Sequence, residues 1–199
     1  MKRHALLFIA LLGALSATWA QAPKVPEVVQ KASEVVMALA DIDLLLVLTP
    51  LKLEKEQIGK IKPLLEQAQS DLMRMEERNA QALLSLRDEV MSARQEVLKG
   101  KTPPEDLRKK LQDVDNAAMQ LRLKTVDQVV RALWAKLEGI LSDSQKQTLI
   151  KRAREMMQNL RRPNADKASW KELGEFFTQE VLLSPRTLPL LEEMQKAAE

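Results

Sequence analysis

The chain has 199 residues, with 31 Lys and Arg against 28 Asp and Glu, one histidine at His4 and no cysteine. With no cysteine, and no histidine beyond His4, the rest of the chain has no thiol or serine–histidine nucleophile and nearly no nitrogen or sulfur metal site. No glycine-rich phosphate cradle and no Glu-x-x-His pair of a di-iron bundle can be read either.

Residues 1–20 read as an export signal. Lys2, Arg3 and His4 form a basic start, residues 5–17 an apolar run, and Thr18-Trp19-Ala20 a small-residue cleavage site before Gln21. The apolar run is too short to span a bilayer comfortably. Lys2 and Arg3 leave with the signal, so the net charge falls from +3 to +1 (31 − 2 basic against 28 acidic residues). That balance gives no footing for nucleic-acid binding. An exported fold without cysteine must hold together without disulfides.

Apolar residues recur at spacings of three and four throughout, so the chain is predicted to be all-α. Residues 27–48 form a first helix, in which Asp41 and Asp43 interrupt the apolar stretch and argue against a membrane span. Residues 53–99 read as one long helix of about 70 Å. Its seam runs from Ile58, Ile61 and Leu65 through Asn79 and Leu83 to Leu86, Ala93 and Val97. Pro63 is expected to kink this helix or to mark its beginning.

Gly100 ends that helix, and Thr102-Pro-Pro-Glu105 reads as a capping box opening the next. The loop is short, so the two helices are predicted to be antiparallel neighbours. The third helix reaches "GILSDSQKQTL", residues 139–149. Gly139 is expected to close it, Ser142 to cap a fourth helix and Gln145 to reach back to the cap amide. The fourth helix runs to about Asn159, with Leu149, Ile150, Ala153, Met156, Met157 and Leu160 facing inward.

Past Arg161-Arg162-Pro163 the character changes. Ser169 and Glu172 cap a short helix bearing Trp170, Phe176 and Phe177, three of the four aromatics that follow the signal. Ser184-Pro185 begins a last helix. The domain plan is therefore a signal at 1–20, a helical domain at 21–162 and a helical tail at 163–199 packing on it.

The helix start at Ser142 has an upstream partner. Leu53 and Gln57 stand as Leu141 and Gln145 do, 88 residues earlier, which is one helical hairpin. A repeated Leu-Thr-x-x-Gln element in an exported helical chain resembles the LTxxQ-motif family of periplasmic, Spy/CpxP-like proteins. The likeness covers residues 44–160. Glu54 stands where the motif has Thr, and Ser142 is a conservative replacement in the second copy.

The resemblance implies a curved, cradle-like antiparallel dimer of long helices. It implies an ATP-independent chaperone for unfolded or partly folded envelope proteins, or an accessory regulator of a membrane sensor protein. A structural spacer is the remaining alternative. No enzyme activity, cofactor, metal or small-molecule substrate is expected. Metal sensing, which leans on histidine elsewhere in the family, fits poorly.

For client binding the candidates are Met73, Arg74, Met75, Arg78, Met156 and Met157, because flexible thioethers repack against varied partners. Met73 and Met75 are two apart and cannot both face one neighbouring helix, so one of them is predicted to be at least partly exposed. The same holds for Met156 and Met157 as immediate neighbours.

Overall fold

The computed structural model describes residues 26–197; the signal lies outside the described residues. Seven α-helices and no strand occur among them. The chain divides into two compact units within the first helix, after Ala40. The described part of the first unit is the start of that helix, exposed throughout.

Helix α1, Glu27–Leu48, ends in a 3₁₀ turn, Thr49–Leu51, with proline in its first turn. Lys52 then takes a left-handed conformation (φ 48°) and redirects the chain into α2, Lys55–Leu84. Pro63 lies inside α2 and does not mark its start. It deletes one backbone bond, and the helix continues through it with Ile58, Ile61 and Leu65 all buried.

The predicted single helix at 53–99 is in fact two. A turn at Ser85 and Leu86 separates α2 from α3, Arg87–Leu98. The Ser85 hydroxyl donates to the Ala82 carbonyl at 2.6 Å, a local bond that competes with the helical ladder. Leu83 is left in water, whereas Leu86 and Ala93 return to the packed face.

Gly100, at φ 84°, closes α3 in a Schellman turn: Lys101 N–H bonds the Glu96 carbonyl at 3.1 Å and Gly100 N–H that of Val97 at 2.9 Å. The capping box expected at Thr102 does not form. Helix α4, Glu105–Ile140, takes Pro104 as its N-cap, so Glu105 is the first helical residue instead of the third.

Helix α5 spans Asp143–Asn159, α6 Trp170–Phe177 and α7 Thr187–Ala197. A 3₁₀ turn, Ala165–Lys167, precedes α6 and a π turn, Thr178–Leu182, follows it. Leu160, expected inward, caps α5 and is exposed.

In the second unit, Asp41–Glu199, α2 and α4 run antiparallel. Arg122 of α4 reaches Glu76 of α2 at 3.0 Å, and Lys110 of α4 reaches Glu89 of α3 at 2.7 Å. One apolar core joins Leu48, Leu51, Ile61, Leu65, Leu137 and Leu149 to Leu173, Phe177 and Leu191 of the tail. The tail therefore supplies core side chains and is not an appendage. Trp170 Nε1 donates to Glu138 at 2.9 Å, Lys62 meets Glu192 at 2.8 Å, and Arg186 grips Asp41 through Nε at 2.7 Å and Nη2 at 2.5 Å. Gly174 lies flat on the Trp134 ring, so close that a Cβ there would fall 2.1 Å from the ring carbon Cε2. No described helix is long and apolar enough to cross a membrane.

Candidate functional site: a glutamine clasp between two helix starts

The two motif copies meet. Ser142, extended at φ −69° and ψ 161°, caps α5; its hydroxyl accepts from Gln145 N–H at 3.3 Å, and its own N–H donates to Gln145 Oε1 at 2.9 Å. Glu54 caps α2 in the same way despite replacing Thr, because a carboxylate accepts the third amide as a hydroxyl does. Its N–H donates to Gln57 Oε1 at 3.0 Å.

Each glutamine is thus fixed at the third helical position by its own cap, and the two amides face one another. Gln57 Nε2 donates to Gln145 Oε1 at 2.8 Å, and Gln145 Nε2 returns the bond to Gln57 Oε1 at 2.8 Å. The second proton of each amide goes to a backbone carbonyl. Gln57 bonds Ile140 at 3.0 Å and Gln145 bonds Lys52 at 3.1 Å.

Both amides therefore use both donors and both acceptor sites of the oxygen, the full capacity of the group. Ile140 is the last residue of α4, and its carbonyl is one of the orphans every helix end leaves. Gly139, expected to end this helix, stays inside it. The end is set by Gln57 taking the next carbonyl and by Leu141 turning extended. Leu141 is buried and Leu53 partly buried, both on the common core, which holds the clasp against an apolar floor.

The clasp contains no ionisable group among its bonding side-chain pair and no nucleophile. Its chemistry is mutual satisfaction of amides, which positions helices. Among the described residues no group of three or more His, Cys, Asp or Glu is arranged to hold a metal ion. Two shallow depressions of about 400 and 430 Å³, near Asn164 and Lys167, are open to solvent and carry no catalytic set.

The candidate client residues are not brought together. Met73 is 63% exposed while Met75 is 5% exposed and part of the buried side of α2, which removes Met75 from any binding face. Met156 and Met157 are partly buried against the core on α5. Arg74 pairs with Asp71 and, with Gln67, holds that carboxyl below its usual value. Arg78 is exposed. Sequence reading missed the exposed Leu83, Leu84, Met119 and Leu123, which lie along α2 and α4. Leu84, Met119 and Leu123 were visible as apolar residues off the seam, whereas Leu83 was expected on the seam and is exposed.

Comparison of the chain with protein-family models, with characterised proteins and with solved structures gives no match to any of them.

Proposed function

We propose that the chain is an exported, ATP-independent chaperone of the LTxxQ, Spy/CpxP-like kind, acting in the periplasm on unfolded or partly folded envelope proteins. The observation that carries this reading is that five large apolar side chains of the hairpin are each more than half exposed: Met73, Leu83, Leu84, Met119 and Leu123. Adaptable methionine and leucine side chains on an exposed helix pair suit clients that have no fixed shape. The clasp supports the family reading in a second way. It explains why two copies of one short motif stand one hairpin apart, since each completes the other's hydrogen bonds. No catalytic role is proposed.

The test is aggregation of an unrelated, chemically denatured protein, followed by light scattering without nucleotide. The purified chain is expected to suppress scattering at near-stoichiometric ratio. Met73→Asp and Met119→Asp should weaken that effect while leaving the melting curve in place. Unchanged scattering with the wild-type chain would remove the chaperone reading. Retention by one membrane sensor in its place would make the chain a regulator.

A further inference from the structure

The end of α5 breaks a local rule with no structural return. Arg161 takes the left-handed conformation (φ 51°) that glycine usually fills at helix ends. Its side chain is exposed and has no hydrogen bond or ion pair among the described residues. The helix dipole would be met as well by Arg162 alone, one position on. An unfavourable backbone conformation without local compensation points to a use for the side chain.

Positive charge is concentrated around it. Residues 151–167 hold six Lys and Arg against two acids, Glu155 and Asp166, a local charge of +4 in a chain that totals +1 after the signal. Lys151, Arg154, Arg161 and Lys167 have no carboxylate partner among the described residues, and Arg162 reaches Glu180 only at 3.7 Å. The acids nearby are already engaged: Gln158 donates to Asp166 at 2.7 Å, and Glu172 is taken up in the cap of α6. Arg162 and Lys167 line one shallow depression, and Lys167 lines the next with Pro163, so these residues share one face. Beside them the turn leaves Leu160 54% exposed and Pro163 in water.

We propose that this turn is a peripheral docking site for an anionic membrane surface, with Arg161, Arg162 and Lys167 on lipid phosphates and Leu160 entering the headgroup layer. Unpaired cations flanking an exposed leucine match such a surface in both its charge and its apolar depth. Arginine in place of glycine then has a reason, because its planar fork takes two phosphate oxygens at once. An acidic peptide would need a groove with anchoring pockets, and the two depressions here are shallow and open to solvent. The site lies wholly within the second unit and does not rest on the chaperone reading.

The test is flotation of the purified protein with vesicles at low salt. Vesicles of phosphatidylcholine with phosphatidylglycerol are expected to carry the protein up, phosphatidylcholine alone is not, and about 0.5 M salt should release it. Each cation at such a surface changes partition about fivefold. Arg161→Gly, Arg162→Gln and Lys167→Gln should therefore each weaken flotation about fivefold, and the triple variant about a hundredfold. Arg161→Gly is the deciding variant, because it is expected to bind less while melting higher, an opposition that loss of the fold cannot produce. Leu160→Ser should weaken flotation and leave its salt dependence in place. A wild type without phosphatidylglycerol-dependent flotation overturns the proposal, as does an Arg161→Gly or triple variant that floats like the wild type. Release by inorganic phosphate at matched ionic strength would overturn it in favour of a discrete anion site. Capture by polyglutamate without vesicle binding would overturn it in favour of an acidic protein partner.

Discussion

Gln57 and Gln145 hold each other by two reciprocal 2.8 Å hydrogen bonds across 88 positions of sequence. Removing either leaves the other with unmet donors and acceptors in a partly buried place. Gln145→Ala is expected to lower the urea unfolding free energy by about 2–3 kcal/mol, and Gln57→Ala by a similar amount. Because the two share their bonds, the double variant should lose less than the sum, by on the order of 1 kcal/mol. Strict additivity would show that the amides act separately. Ser142→Ala, which removes only a cap, should lose about 1 kcal/mol.

A methyl group at Gly174 would occupy the space of the Trp134 ring. The contacted atoms belong to a buried aromatic ring that cannot swing aside as a flexible chain end can. Gly174→Ala is therefore expected to cost about 2–3 kcal/mol and to shift tryptophan fluorescence. Trp134→Phe in the same chain should recover part of that loss by giving the methyl room. A Gly174→Ala protein with wild-type stability would mean that the helices slide apart without penalty.

Arg161 closes α5 with φ 51°, a conformation that suits glycine. Its N–H and that of Arg162 still bond the Gln158 and Met157 carbonyls at 2.9 Å, so the turn is kept in spite of the side chain. Arg161→Gly is expected to raise stability by about 0.5–1 kcal/mol, read as a higher denaturation midpoint. A lower midpoint would show that the arginine side chain contributes more than the backbone loses.

Acid should weaken the fold through its paired carboxylates. The Arg186 guanidinium holds the Asp41 carboxyl below its usual value, against the opposing effect of burial. Lys62 does the same to Glu192, and Ser169 to Glu172. Folded values that lie below the unfolded ones give stabilisation that is complete above the ordinary carboxylate range and lost as pH falls through it. The melting temperature is thus expected to hold from about pH 7 to 5.5 and to decline below about pH 4.5. Asp41→Asn should melt lower than wild type at neutral pH, with the gap narrowing in acid. A constant gap would assign the loss to packing and not to the ion pair.

What could be read in advance was local. Ser142 with Gln145 and Ser169 with Glu172 announce helix starts because both cap partners lie within four residues. The bounds of α1 and the antiparallel pairing followed from apolar spacing and a short proline loop. The clasp was not legible as a clasp, although both its glutamines were singled out, since their meeting depends on how α2 and α4 pack. Glu54 hid its cap behind an unusual residue type. The turn at Ser85 and Leu86 escaped because the apolar rhythm on either side continues almost unbroken. At Met73 and Met75 the two-residue offset foretold that one would be exposed, and packing against α4 decided which.

The long-range bonds of the second unit are nested. The pairing of α2 with α4 lies inside the closure from Gln57 to Gln145, and that lies inside the closure from Asp41 to Arg186, 145 positions apart. Bringing distant segments together loses less chain entropy once the intervening loop has already been shortened. The arrangement therefore prescribes an order of assembly. The hairpin is expected to zip first, the two glutamines to lock its open end next, and the tail, with the core residues Leu173, Phe177 and Leu191, to be drawn in last. Disassembly should run in reverse, beginning with release of the chain at Arg186.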